Sequence, residues 1–140
     1  MSKQEEYNQL LRERDETQSA YDSTEAKIEE LEYIIKRLKA AKADIVDMKN
    51  DYKLIKKANK AIINDDYEWT GSNYDEFLSK GSSRMGEDTY YYKYVLDHVL
   101  DSLNDEITDV ENKKNDQYGI LGDLLSALNS IGNAIENFFN

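Results

Sequence analysis

The side chains that could carry out chemistry in this 140-residue chain are few. His98 is the only histidine and the chain has no cysteine, which excludes disulfides, thiolate metal sites and thiol nucleophiles. A lone histidine becomes a general base only when an acid or a nucleophile lies beside it, and the sequence supplies no convergent set of catalytic groups. We therefore expect His98 to be structural or solvated, and the protein not to be an enzyme.

A calcium loop is the nearest approach to a metal site. Asp65 and Glu76 have the spacing of the first and last ligands of such a loop. Between them, however, Tyr67, Trp69 and Thr70 occupy positions that require oxygen ligands and a glycine. The sequence also contains no phosphate-binding glycine loop and no Cys/His cluster. We expect no metal ion and no cofactor.

Tyrosines form the last group that could bind a ligand directly, because aromatic rings stack on bases and sugars. They are Tyr90, Tyr91, Tyr92 and Tyr94. The chain carries 29 acidic and 18 basic residues, a net charge of -11, and would repel a phosphate backbone. We therefore expect no nucleic acid partner. We interpret the tyrosines as packing against another helix of this chain or of a protein partner.

A heptad repeat organises both halves of the chain. Its members recur at alternating spacings of three and four, which is the pattern of a coiled coil and not only of an amphipathic helix. In the first half this seam comprises Tyr7, Leu10, Thr17, Tyr21, Thr24, Ile28, Leu31, Ile35, Leu38, Ile45, Met48, Tyr52, Ile55 and Ile62, with Arg14, Lys42 and Asn59 in the remaining places. In the second half it comprises Leu96, Leu100, Leu103, Ile107, Val110, Lys114, Tyr118, Leu121, Leu125, Leu128, Ile131, Ile135 and Phe138.

The two halves meet near the midpoint of the chain, at Trp69-Thr70-Gly71. No glycine or proline precedes Gly71, and glycine readily takes the positive φ that a chain reversal needs. We predict an all-α fold, a long antiparallel helical hairpin with a Trp-x-Gly turn. Its parts are a first arm over residues 2–66, the turn over 67–73, and a second arm over 74–139 that allows a break at 80–88.

Charge favours antiparallel pairing of the arms near the turn. Residues 33–63 are rich in lysine, and their mirror segment, residues 77–107, is rich in aspartate and glutamate. Each exposed ion pair contributes only a fraction of a kcal/mol, so about 0–1 kcal/mol is expected per pair. The charges therefore select the register of the two arms more than they stabilise it.

The end of the hairpin farthest from the turn lacks this complementarity, because both arms are acidic there. The second arm has an apolar stripe that Tyr7, Leu10 and Leu11 of the first arm can hardly cover. Two helices alone rarely make a stable core, so the stripe predicts a partner that completes a helical bundle. The predicted partner-binding residues are Leu121, Leu124, Leu125, Leu128, Ile131, Ile135, Phe138 and Phe139.

A membrane is the other surface that this stripe could meet, as an amphipathic helix. Its polar face is acidic and lacks lysine, the reverse of what anionic lipids attract, so we do not expect membrane binding. Gly122 and Gly132 instead allow close approach of another helix. The sequence contains no apolar run that would span a bilayer and no cleavable secretory signal, and we expect synthesis in the cytoplasm.

Two long helices around Trp69-x-Gly71, with an aromatic residue eight positions after the tryptophan at Phe77, resemble the WxG-turn proteins of bacterial type VII secretion, the Esx class. Two features differ from that class. The arms here are longer, and the only Tyr-x-x-x-Asp/Glu motif, Tyr21 with Glu25, lies in the first arm and not at the C-terminus. The longer form is similar to the YwqH-like proteins encoded beside LXG-domain toxins in Gram-positive bacteria.

This resemblance implies a targeting factor or chaperone that binds the helical N-terminal region of an LXG-type toxin, or another secreted helical client. A second small helical protein is a further candidate partner. The resemblance also implies export with the client by the type VII route, without a signal peptide, and gives Trp69, Gly71 and Phe77 the role of a turn motif. The alternative is a self-associating structural coiled coil, a homodimer with no toxin client.

Overall fold

Two long α-helices make up the computed structural model, which describes residues 2–64 and 72–140. Helix α1 is Lys3–Asn64 and helix α2 is Ser72–Glu136, and no strand occurs within the described residues. The predicted all-α helical hairpin is confirmed. Within the two helices, side chains are described except at residues 59, 61–64, 72–74, 76–78, 80–85 and 89.

The predicted turn lies mostly outside the described residues. Trp69 and Gly71 fall in the omitted segment, and Phe77 lies within α2, although its side chain is among those not described. Helix α2 begins at Ser72 and is continuous through residues 80–88, the stretch for which the sequence allows a break.

The chain forms two compact units, each made from a segment of both helices. Unit 1 comprises Met1–Arg37 and Ile107–Asn140, and unit 2 comprises Leu38–Glu106. In unit 1, Tyr7 contacts Phe138 while Glu32 contacts Tyr118. A later residue of α1 thus contacts an earlier residue of α2, so the two segments are antiparallel.

The best-buried side chains of unit 1 lie in the predicted seam. They are Thr24, Ile28, Ile35, Ile107 and Val110, each with at most 8% of its surface exposed. The Thr24 hydroxyl donates a hydrogen bond to the Ala20 carbonyl at 2.8 Å, which satisfies the one polar group in this set. Burying a hydroxyl without such a bond would destabilise the helix pair. The sequence prediction of this part of the seam is confirmed.

In unit 2 the seam departs from the predicted residues of α1. Met48 and Ile55 are 44% and 56% exposed, so their predicted place in the seam is wrong. Lys49 and Lys56, one position later in each case, are half-buried instead, and Tyr52 is half-buried as predicted. These three continue the strict alternation of four and three that begins farther back along α1. The prediction takes the nearest apolar residue, Met48 or Ile55, and thereby breaks the alternation. The helix buries the residues that the alternation requires, although two of them are lysines.

A displacement of the seam by one residue also occurs in α2, in the opposite direction along the chain. Tyr118 and Leu125, both predicted in the seam, are 48% and 47% exposed. Gln117 and Leu124, one position earlier in each case, are half-buried in their places. One residue is a rotation of about 100° around a helix, so this shift turns two large apolar side chains out of the seam.

A lysine in the seam needs a counter-charge, and unit 2 provides one. The Lys49 ammonium forms an ion pair with the Asp97 carboxylate of α2. This hydrogen bond lowers the pKa of Asp97; burial opposes the shift, and the charges of Lys49, Lys93 and Lys53 reinforce it. Beside the pair, the rings of Tyr52 and Tyr92 meet at 4.5 Å. The predicted pairing of a lysine-rich with an acidic segment is thus realised at this contact.

Leucine truncation should distinguish the seam from the outer surface of unit 2. Leu96 is 4% exposed and Leu54 is 65% exposed. We expect Leu96→Ala to lower the free energy of unfolding by about 2–4 kcal/mol, because it removes buried methyl groups and leaves a cavity. Leu54→Ala, the same substitution on an exposed surface, should change it by less than about 0.5 kcal/mol. Urea denaturation followed by circular dichroism measures both; equal midpoints for the two variants would contradict this assignment.

Candidate partner-binding surface

The late part of α2 presents a continuous row of exposed residues beside the seam, each one position after a seam residue and so about 100° farther round the helix. We call it the outer stripe. Its spacing alternates four and three, so its members lie on one face of the helix. Phe139 lies three residues after the end of the helix and extends the row. The outer stripe consists of Tyr118, Gly122, Leu125, Asn129, Gly132, Glu136 and Phe139, all exposed.

The structure divides the predicted partner-binding residues into two groups. Leu125 and Phe139 lie in the outer stripe, 47% and 64% exposed. The others are half-buried along the seam, namely Leu121, Leu124, Leu128, Ile131, Ile135 and Phe138. Sequence reasoning does not separate these groups, and it misses Tyr118, which it assigns to the seam. The strict heptad alternation is the signal that would have placed Tyr118 outside.

An aromatic cluster closes the C-terminal end of the seam. The ring of Tyr7 lies 5.6 Å from that of Phe138 and 5.2 Å from that of Phe139. The two phenylalanine rings meet edge to face at 5.0 Å, a favoured geometry for aromatic pairs. The Lys3 ammonium lies 5.6 Å from the centre of the Phe138 ring. The start of α1 thus covers Phe138, while Phe139 keeps most of its surface exposed.

The two glycines of the outer stripe are not required by the fold of this chain. A Cβ atom added to Gly122 or Gly132 would meet nothing within 4 Å. Glycine inside a helix costs about 0.5–1 kcal/mol relative to alanine. Gly86 and Gly119 are equally open, so four glycines of the described helices lie where the packing of this chain has room for a side chain, and two of the four belong to the outer stripe. Such departures from local preference are expected at functional surfaces.

Charge is nearly absent from this part of the chain. Residues 117–140 contain two charged side chains, Asp123 and Glu136, whereas 34% of the whole chain is charged. The core of a protein interface is depleted in charged residues, while a solvated helix face in an acidic protein is not. The composition of the segment therefore favours a surface that another protein covers.

A hydrogen bond fixes one end of the outer stripe to α1. The Tyr118 hydroxyl donates to Glu32 Oε1 at 3.0 Å. This bond to a carboxylate raises the pKa of Tyr118, since ionisation would remove the donor and place a second negative charge beside Glu32. Tyr118 is thereby held at the rim of the stripe with its ring still accessible.

Neither a cluster of metal ligands nor a membrane-spanning helix occurs in the part of the chain that the structure describes. Within residues 2–64 and 72–140, no group of three or more His, Cys, Asp or Glu is placed to hold a metal ion. The ring of His98, the only histidine, lies 6.3 Å from that of Tyr94. Neither described helix is long and apolar enough to cross a membrane.

Comparison with known proteins identifies a family for most of the chain. The model of the YwqH-like family matches residues 12–133. No curated protein and no solved structure matches the chain significantly. The matched range begins within α1 and ends within α2. It includes the outer stripe as far as Gly132, but not the aromatic cluster of Tyr7, Phe138 and Phe139.

Removing the Glu32 carboxylate should lower the pKa of Tyr118 toward its ordinary value, because the hydrogen bond to Glu32 is the main cause of its raised pKa. A pKa raised on folding stabilises the fold below the unfolded value, about 10. That contribution is lost as the pH rises through the folded value. NMR titration of isotope-labelled tyrosine in Glu32→Gln should detect the decrease, with Glu29→Gln as the matched control. An unchanged Tyr118 titration in Glu32→Gln would show that the hydrogen bond does not form in solution.

Proposed function

We propose, from the fact that the chain belongs to the YwqH-like family, that it is a targeting factor or chaperone for a protein secreted by a type VII system. Its client would be the helical N-terminal region of an LXG-type toxin or another secreted helical protein. The observation that carries the proposal is the outer stripe, an exposed, nearly uncharged helix face with two glycines that the fold itself does not need.

The outer stripe favours a helix as the bound element. Leu125 and Phe139 would serve as apolar anchors, exposed at 47% and 64%. Gly132 lies between these anchors and Gly122 lies just before Leu125. At both positions the absence of a Cβ lets a second backbone approach closely. A client helix laid along this face would also cover the half-buried edge of the seam. Two helices would then become a bundle, in which each apolar face is shared by more neighbours.

The turn motif adds a second element to the proposal. Membership of the wider WxG-turn class would give Trp69 the role of packing between the two arms, with Gly71 permitting the reversal. The single Tyr-x-x-x-Asp/Glu motif, Tyr21 with Glu25, lies within α1. We therefore propose that export depends on a signal carried by the client or by a second small helical protein. The setting would be the type VII route of a Gram-positive bacterium, with synthesis in the cytoplasm.

Self-association through the same face is the alternative. A homodimer would bring together two chains that each carry a net charge of -11, and this repulsion disfavours close assembly. The near absence of charge along the outer stripe reduces that repulsion locally. The two assemblies are separated by the experiment below, since one needs a client and the other does not.

Placing charge on the outer stripe should weaken client binding. In Leu125→Asp/Phe139→Asp, each buried carboxylate would lack a partner in the interface. Affinity for the proposed client, tested with the product of the adjacent gene, should therefore fall at least about tenfold, or 1.4 kcal/mol. Calorimetric titration measures the change. Leu54→Asp, at a 65% exposed position of unit 2, is the matched control and should bind normally. A wild-type dimer that this double variant dissociates, with no binding of the client, would establish self-association instead.

The glycines permit a test in which stability and binding move in opposite directions. Gly122→Ala/Gly132→Ala should raise the free energy of unfolding, by about 0.5–1 kcal/mol per site, because alanine favours the helix and its Cβ meets open space. The same methyl groups should weaken client binding by holding the client backbone away. Thermal denaturation and calorimetric titration report the two effects. A gain in stability with unchanged affinity would remove the glycines from the interface.

A further inference from the structure

A second unusual surface lies in unit 2, on the face of α2 that points away from its seam. Tyr90, Tyr94 and His98 follow one another at intervals of four residues. The rings of Tyr90 and Tyr94 are 6.5 Å apart and inclined by 13°, and those of Tyr94 and His98 are 6.3 Å apart and inclined by 8°. The three side chains therefore form a ladder of nearly parallel rings along the helix.

The ladder is open to solvent. Tyr90 and Tyr94 are 75% and 62% exposed, and the adjoining Tyr91 is 70% exposed. The centroid separations within the ladder are those of offset-stacked aromatic pairs, about 4.5–7 Å. The exposed fractions show that most of the surface of these tyrosines nevertheless remains accessible. Tyr92, in contrast, turns inward onto Tyr52, so only this tyrosine packs against α1 as the sequence predicted.

Acidic residues flank the ladder on the same face. Glu87 lies one turn before Tyr90 or Tyr91, and Asp101 and Asp105 continue the face beyond His98; all three are exposed. Lys93 is the only basic residue between positions 86 and 112, and it lines a hollow with Lys49 and Tyr52. The aromatic rings and their acidic flanks, which we call the tyrosine face, therefore contain no lysine and no arginine.

We propose that the tyrosine face is a second protein-binding surface, and that its occupant is a helix with arginine side chains one turn apart. A guanidinium is planar and weakly hydrated, so it stacks on the face of a tyrosine ring while it pairs with a nearby carboxylate. Arginines at intervals of four residues on the partner match the interval of the rings. The tyrosine face thus offers the ring and the counter-charge that such a side chain uses together.

Other occupants fit the tyrosine face less well. Nucleic acid would bring phosphates against Glu87, Asp101 and Asp105, which repel them. An anionic membrane would be repelled for the same reason. A second copy of this chain carries arginine only at positions 12, 14, 37 and 84, no two of which are four residues apart. A cationic helix alone neutralises these carboxylates and also covers the aromatic rings.

The experiment measures the binding of a labelled synthetic helix to the full-length chain by fluorescence anisotropy. The peptide is about 20 residues long and carries two arginines four residues apart; the comparison peptide carries glutamine at both positions. We expect the arginine peptide to bind at least about tenfold more tightly than the glutamine peptide. Tyr90→Ala/Tyr94→Ala should remove that difference, whereas Tyr90→Phe/Tyr94→Phe, which keeps both ring faces, should retain it.

Two controls keep the result specific. Tyr33→Ala removes a tyrosine of unit 1 that is 60% exposed, and should bind the arginine peptide like the wild type. Leu125→Asp/Phe139→Asp, designed for the outer stripe, should also leave this binding intact, so failure here is independent of failure of the client proposal. Equal binding of the two peptides by the wild type, including no binding of either at about 1 mM, would overturn the inference. Unchanged binding by Tyr90→Ala/Tyr94→Ala would overturn it equally.

Discussion

The register of the seam between α1 and α2 is the constraint on which the rest of this structure depends. A repeat of 3.5 residues keeps one face of each helix turned toward the other over its length. The alternation of four and three that this repeat requires continues even where it brings lysine inward. Lys49 and Lys56 are half-buried in unit 2, whereas Met48 and Ile55 are exposed. Position along the repeat, more than the apolarity of a single side chain, decides what is buried.

Polar contacts between the helices follow from that register. Lys49 in the seam pairs with Asp97, and Tyr118 at the seam's rim donates to Glu32. Exposed interactions of this kind contribute little net stability. A shifted register, however, would separate Lys49 from Asp97 and leave the Lys49 ammonium half-buried without this counter-charge. The contacts therefore select one alignment of the two helices. Burial of Ile28, Ile35, Leu96 and similar side chains provides the stabilising free energy.

The two exposed surfaces have different chemistry, although both arise from residues that the register excludes from the seam. The outer stripe in unit 1 is nearly uncharged and contains glycines with open space above them. The tyrosine face in unit 2 is aromatic and acidic. An apolar helix suits the first and a cationic helix suits the second. The two proposed binding surfaces therefore differ in the chemistry of the helix that each would bind.

The sequence by itself determined the helical elements. Heptad spacing, the absence of proline and the first glycine at Gly71 predicted two long helices. The lack of cysteine excludes disulfides and thiolate metal sites. The apolar segment from Leu121 to Phe139 was recognisable as a candidate interface because its composition differs from that of the remaining chain.

Only the tertiary structure decided which neighbouring residues face outward. Leu124 and Leu125 have the same side chain, as do Tyr91 and Tyr92, yet one of each pair lies inward and the other is exposed. Adjacent positions differ by about 100° around a helix, and a sequence pattern read along one helix tolerates a shift of this size. Packing against the opposite helix does not tolerate such a shift. A side chain that is turned out of the space between the residues of the facing helix loses its packing contacts. The physical reason is that register is a property of two helices together.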